Sequence, residues 1–338
     1  MYYKNSDVRV EERPVPEVSQ GEILMRVVAS GLCGTDVVEW YRRDRVPLVL
    51  GHEVAGEIVK IGKGVSSYKI GDRISVSHHV PCGKCRYCLN DHHSVCDTLR
   101  KTSFDPGGFS EFLRIPAINV KEGVYPLPGG VSFEEATFIE PLACVLRGQR
   151  LTGYKKDQTL LVIGSGISGL LHVKLAKLRS FGKIIATDIN DYRLKMASLC
   201  GADLVIHAKE DIPKKLKDFN DGRLADLVIL CTGAPSAIDQ ALRSVERGGK
   251  VLFFASTEEG IEFSLSINKF FWKNEVTLLS SYAANPQEHL DALELIGNKK
   301  INVKDMITHR FGLNDIQKGF DLVSKAKDSV KVIINPQE

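Results

Sequence analysis

The sequence predicts an α/β protein: a doubly wound parallel sheet joined to a β-rich, partly barrel-like unit. Two observations carry the prediction. From residue 159 onward, short apolar runs alternate with helical segments of about ten residues, the pattern of βαβ units whose sheet is covered on both faces. Ahead of residue 132, strand-like runs at 22–29, 53–61 and 73–78 are broken by glycine and proline and show no helical period.

Each element follows from its residues. Residues 132–151 read as a helix, with Ser132 as N-cap and Glu135 three residues on completing a capping box. The run at 159–163 reads as a buried strand, followed by a helix at 167–178. A strand at 183–188, a helix at 191–199, strands at 204–206 and 227–231, a helix at 236–245 and a strand at 250–255 continue the alternation. Residues 276–280 read as the last strand of this sheet, an apolar edge that invites a second chain. After Pro286 come helical stretches at 288–296 and 313–324 and a closing strand at 330–334.

Composition bounds the function. The chain has 338 residues, 43% hydrophobic and 26% charged, with a formal net charge of +3. That surplus is too small for a nucleic-acid or membrane-surface binder. The longest uncharged run, residues 158–171, carries three glycines and two serines and is too short to span a bilayer. The first ten residues are charged and include no apolar run, so no signal peptide is expected and the cytoplasm is the default location.

Gly164-Ser165-Gly166-Ile167-Ser168-Gly169 follows a predicted strand and opens a predicted helix. In that context Gly164 permits a tight turn, Gly166 lets the backbone approach a pyrophosphate and Gly169 lets helix and strand pack closely. The amides of Ile167 and Ser168 lie at the helix N-terminus, where the dipole favours phosphate. Asp188 ends the next strand, where a carboxylate accepts hydrogen bonds from ribose hydroxyls and repels a 2′-phosphate; this predicts NAD over NADP. Arg193 is the nearby cation, able to serve a 2′-phosphate, stack on adenine or pair with Asp191. Thr232, just past the strand ending at Cys231, joins the expected cofactor-binding residues.

Four of the eight cysteines, Cys82, Cys85, Cys88 and Cys96, are separated by two, two and seven residues. Four thiolates so close can close a tetrahedral zinc site with no open position, which is a structural site. An iron–sulfur cluster or free thiols are the alternatives. His92 and His93 within this lobe read as solvated loop residues, and His78 and His79 as ordinary strand-end residues. Two further segments suggest a second metal: residues 31–36, with Cys33 beside a hydroxyl, and residues 51–56, with His52 beside the carboxylate of Glu53. Spacing alone does not bring Cys33 and His52 together.

GLCGTD (31–36), GHEVAGEI (51–58), KIGDRI (69–74), the cysteine lobe (81–96), GGFSEF (107–112), FIEPLACVLRG (138–148) and IGSGISG (163–169) occur in this order. Together they resemble the medium-chain, zinc-dependent alcohol dehydrogenases, in particular their sorbitol (polyol) and threonine dehydrogenase-like branch. The resemblance implies a GroES-like β-barrel catalytic domain at 1–146, with its zinc lobe at 80–98. It implies an inserted Rossmann domain at 147–282, and a tail at 283–338 that returns to the first domain. It implies that Cys33 and His52 bind a catalytic zinc, with Glu53 and Glu140 as further or exchanging ligands, and that Thr35 begins a proton relay. The histidine that often follows the ligand cysteine by five residues is replaced by Val38, so the proton must leave by water, by the nicotinamide ribose or by another side chain.

The expected reaction is hydride transfer between NAD(H) and the carbinol carbon of a polyol, a sugar or another secondary alcohol, in a cleft between the domains. An amino-alcohol substrate, as in threonine dehydrogenases, is the alternative. A non-catalytic zinc- and nucleotide-binding protein is the alternative of another class. The expected partners are a small alcohol or ketone and further copies of the chain, as a homodimer or homotetramer, with no nucleic acid and no membrane. Trp40, Tyr41, Arg42 and Arg43 read equally as pocket lining or as surface loop.

Overall fold

The computed structural model describes residues 1–326 and 328–338. The chain forms two compact units, Met1–Ala143 with Ala283–Glu338, and Cys144–Tyr282.

In the first unit a seven-stranded sheet is organised around Ile23–Leu32. One edge of this strand pairs antiparallel with Glu53–Ile61 along its length. The other edge is divided: residues 23–26 pair with Phe112–Ile115, and residues 30–32 with Lys331–Asn335. The C-terminal strand therefore completes the sheet begun at residue 23, and Ile307–Gly312, which had no clear sequence signal, runs parallel outside it. Ile23, Met25, Val27, Val54, Ile58, Ile74 and Leu113 fill one side of the sheet. Tyr2, Leu32, Leu50, Phe109, Phe320 and Val332 pack into a second apolar cluster.

The helix expected at 132–151 is two helices. Ser132 does cap the first: its hydroxyl accepts from Glu135 N at 3.2 Å, and Glu135 Oε2 accepts from Ser132 N at 2.9 Å. That helix, Phe133–Ala136, stops after one turn and a new one runs Ile139–Leu151. Pro141 accounts for the break. It lacks an N–H and its ring would strike the carbonyl of Thr137 in a continuous helix, whereas in the first turn of a new helix neither matters.

The second unit is a six-stranded, wholly parallel sheet. Its spatial order is Leu204–His207, Lys183–Asp188, Thr159–Ile163, Ala225–Leu230, Val245–Phe253 and Thr277–Ser280. The chain starts mid-sheet, winds outward one way and then the other, which creates a switch point beside Thr159–Ile163. All five residues of that strand are buried, as a sheet covered on both faces requires. Helix Ile212–Phe219 escaped the sequence reading. Its signals were present: Asp211 caps it by accepting from Lys214 N, and Pro213 sits in the first turn. Among the described residues no helix is long and apolar enough to cross a membrane.

Candidate metal centres and dinucleotide loop

The strand Ile23–Leu32 delivers Cys33 at its end, and Glu53 opens the strand paired to it. The register sets Gly31 opposite Glu53, so the end of one strand and the start of the next lie side by side. His52 comes from the irregular segment before Glu53. That segment depends on Gly51, whose φ of +94° favours glycine and where a Cβ would come within 2.7 Å of Phe109 N. The result is convergence: a sulfur of Cys33, a ring nitrogen of His52 and a carboxylate oxygen of Glu53 lie within 4.8 Å of one another. Thiolate, imidazole and carboxylate are zinc's donor types. Glu140, expected beside them, is not among these converging donors; it heads the helix Ile139–Leu151 and has interactions of its own.

The surroundings fit a cation. Cys33 caps the 3₁₀ turn Gly34–Val37, and the Thr35 hydroxyl donates to Cys33 Sγ at 3.3 Å. Asp36, which the sequence reading passed over, is wholly buried; its Oδ2 accepts from Cys33 N at 3.0 Å and its Oδ1 faces His52 Nδ1 at 3.4 Å. A carboxylate on one ring nitrogen orients the imidazole and leaves the other nitrogen for a metal. Burial pushes the His52 pKa down, but the charges of Asp36 and Cys33 outweigh it and hold it well above the ordinary histidine value. Burial likewise pushes Asp36 up, and His52 and Arg42 outweigh it, so its pKa is lowered. Glu53 pairs through Oε2 with the ammonium of Lys331, both side chains fully buried, while Glu53 Oε1 has no hydrogen-bond partner among the described residues. An orphaned buried carboxylate oxygen is what a metal would satisfy. Gly31 makes room for the pair, since a Cβ there would collide with both Glu53 Oε2 and Lys331 Nζ.

His78 and His79 are not ordinary strand-end residues. Val54 pairs with Val76, so the residues following 76 run alongside those preceding 54. The His78 ring lies 4.8 Å from that of His52 and 3.8 Å from that of His79. Burial holds His78 well below the ordinary value and pushes His79 down to about 4, against a hydrogen bond to the Thr102 carbonyl. Both rings are neutral near pH 7. The pairing of residues 53–61 with 73–76 was the signal that could have placed them. In the short helix Glu39–Arg42, Tyr41 is exposed, whereas Arg42 turns inward toward Asp36.

The four lobe cysteines place their sulfurs within 4.8 Å of one another. Cys85 N donates to Cys82 Sγ at 3.3 Å, and Cys82 N to Cys96 Sγ at 3.5 Å. Burial raises Cys96, but backbone N–H groups of Cys82, Leu99 and Thr98 outweigh it and lower its pKa to about 6. His92 and His93 stand outside the set; His93 Nδ1 faces Asp91 at 3.3 Å. Cys88, Cys96 and Leu99 form a small core of their own, so a metal has much of the lobe to hold together. All eight cysteines are unbridged.

In the second unit, Gly164 has φ +94° and lies against Cys231 and Thr232. Gly166 stands at the N-cap of helix Ile167–Leu178 with open space beside it, and a Cβ on Gly169 would collide with the Gly164 carbonyl. Ile167 and Ser168 form the first turn of that helix. Asp188 is only 7% exposed and already has two partners: Oδ2 accepts from Ser165 N at 2.8 Å and Oδ1 from Asn190 N at 2.9 Å. It braces the glycine loop from the adjacent strand end. Arg193 lies in the first turn of helix Asp191–Leu199, half-buried, with no hydrogen-bond partner for its Nε among the described residues.

Comparison with known proteins agrees with this geometry. Residues 19–128 match the alcohol dehydrogenase GroES-like domain and residues 168–298 the zinc-binding dehydrogenase domain. An L-threonine 3-dehydrogenase of Bacillus licheniformis is 32% identical over 95% of this chain and 93% of its own length. A sorbitol dehydrogenase of Halalkalibacterium halodurans is 31% identical over 97% of this chain and 95% of its own. A zinc-binding dehydrogenase of Sinorhizobium meliloti 1021, solved with NADP bound, superposes with a TM-score of 0.87 at 26% identity, covering 99% of this chain and 97% of that one. The chain belongs to the zinc-dependent, medium-chain alcohol dehydrogenase family and is an oxidoreductase.

Proposed function

We propose that this enzyme interconverts a secondary alcohol and its ketone on a polyol or sugar-like substrate, with NAD(H) as the preferred hydride carrier. The observation that carries the reading is the convergence of Cys33, His52 and Glu53, with one Glu53 oxygen unpaired, beside the Thr35 hydroxyl. These three residues would hold the catalytic zinc, with Glu140 as a further or exchanging ligand, and Cys82, Cys85, Cys88 and Cys96 a structural one. Zinc, when bound, supplies the Lewis acidity that lets a substrate hydroxyl give up its proton near neutral pH.

The chain's own residues do the rest. Asp36 holds the His52 ring in orientation. Thr35, bonded to Cys33, is placed to accept the hydroxyl proton as it hands its own to water, to the nicotinamide ribose or to another side chain, since Val38 at the relay position offers no acceptor. Gly164, Gly166, Ile167, Ser168 and Gly169 would seat the pyrophosphate on the helix N-terminus, beside Thr232. Asp188 would accept from the ribose, with Arg193 flanking it. An NADP-bound relative shows that the fold admits the phosphorylated cofactor; the preference for NAD rests on Asp188.

A threonine-like amino alcohol is the second reading, favoured by the L-threonine 3-dehydrogenase relative. The edge strand Thr277–Ser280, with exposed Ile267 and Trp272 in the segment before it, supports a homodimer or homotetramer. Eight unbridged cysteines accord with a cytoplasmic enzyme. The test is NADH formation by the zinc-loaded protein on sorbitol, xylitol, 2,3-butanediol and L-threonine. Turnover of a polyol above that of threonine is expected. Zinc-replete protein that reduces neither NAD nor NADP with any of them would refute the assignment.

A further inference from the structure

We propose that Arg42 is a positioning residue for the metal centre: its guanidinium shares the Asp36 carboxylate with His52, and so limits the charge His52 lends to a bound zinc. This rests on the reading of Cys33, His52 and Glu53 as zinc ligands.

Asp36 Oδ2 is committed to Cys33 N at 3.0 Å. Oδ1 is divided. His52 Nδ1 stands 3.4 Å from it and Arg42 Nη2 3.8 Å, neither at full hydrogen-bond length. The same Nη2 donates to the Thr35 carbonyl at 3.3 Å, which ties the guanidinium to the turn carrying Cys33. The Arg42 side chain is 12% exposed, lies over the Tyr41 ring at 4.8 Å, and leaves Nε without a hydrogen-bond partner among the described residues. Burying a cation in this way without full hydrogen bonding is costly, and Asp36 is the carboxylate it meets.

An imidazole bonded through one N–H to a carboxylate is a stronger donor to a metal on its other nitrogen. A cation beside that carboxylate draws off part of its charge, and at a buried site the attraction is poorly screened. Arg42 therefore makes His52 a weaker ligand and leaves the metal a stronger acid, at some loss of affinity. Its own positive charge opposes the metal in the same sense. Arginine does not titrate in the working range, so the effect is constant with pH. The other groups against His52 do not replace it: His78 is neutral, Cys33 is itself a ligand, and Lys331 is spent on Glu53.

The test compares wild type, Arg42→Met and Arg42→Lys as full-length protein, by chelator competition for zinc and by the pH profile of alcohol oxidation. Arg42→Met should bind zinc about tenfold more tightly and shift its rate profile toward higher pH, while Arg42→Lys, which keeps the charge, stays near wild type on both. A merely structural arginine would give the opposite sign, looser zinc with an unmoved profile. Should Arg42→Met fail to fold, Arg42→Gln keeps a donor for the Thr35 carbonyl and carries the same expectation. A folded, charge-free variant that binds zinc no more tightly than wild type overturns the proposal, whatever its activity. Failure of the underlying ligand reading shows separately, as full zinc retention in His52→Ala.

Discussion

The ammonium of Lys331 meets the carboxylate of Glu53 with both side chains fully buried, although 278 residues separate them in sequence. A buried pair of this kind is a weak source of net stability, but removing one partner strands the other charge. Lys331→Met should therefore lower the stability of the zinc-free protein by about 3 kcal/mol in urea unfolding. Zinc should restore part of the loss, because Glu53 then has a cation again. A loss below about 1 kcal/mol would show that the pair does not hold the strand ends together.

Cys33→Ser or His52→Ala should abolish turnover and remove one zinc per chain while leaving the lobe zinc in place. The residues sit at strand ends and contribute little core, so folding should survive. Metal analysis and activity on the same sample decide it. A variant one zinc short with wild-type turnover would remove these residues from the chemistry.

Cys88→Ser should act through stability instead. Cys88 packs with Cys96 and Leu99 in a core too small to persist alone. Thermal unfolding should move to lower temperature and the lobe should become protease-sensitive, with the chemistry affected only as the fold loosens. Normal melting at full zinc content would count against a structural metal.

Asp188→Ala should do two things, because Asp188 accepts from Ser165 N and Asn190 N and, on the proposed reading, would also accept from the cofactor ribose. Removing the charge should narrow the preference for NAD over NADP. Removing the brace should weaken both cofactors by loosening the glycine loop. The ratio of kcat/KM for the two cofactors, in wild type and variant, reads out the first effect, and a loss of affinity common to both cofactors reads out the second. A wild-type enzyme preferring NADP would assign the choice to Arg193.

His172 predicts an acid limit on stability. It is fully buried beside Gln149 and Phe254, and burial pushes its pKa down to about 3. The folded state keeps it neutral while the unfolded state takes up a proton below about 6.5. The unfolded chain thus binds more protons between these values, and stability falls as pH falls through that window. From pH 7 to pH 5 this one group should cost about 2 kcal/mol. Urea unfolding of His172→Gln should show a correspondingly smaller fall; an identical fall would place the acid sensitivity elsewhere.

Much of the protein was legible in its sequence wherever the determinant is local. Gly164 and Gly169 declare a strand-to-helix turn because only glycine tolerates the positive φ of the first and the close helix approach at the second. The lobe cysteines are near in space because they are near in sequence. Alternating apolar runs and helices foretold the parallel sheet, since a strand covered on both faces has to be apolar throughout. Motif order carried the resemblance that paired Cys33 with His52 as expected zinc ligands. Tertiary structure decided what depends on register between distant strands. It brought Cys33, His52 and Glu53 to one point, returned the strand Lys331–Asn335 to the edge of Ile23–Leu32, and set Lys331 against Glu53. It also turned His78 toward His52 and Arg42 toward Asp36, and left Glu140 out of the converging donors. The reason is physical: a side chain's spacing in sequence determines its face on an element, but its partners across the sheet are chosen by which strands pair, and that is settled only when the whole core packs.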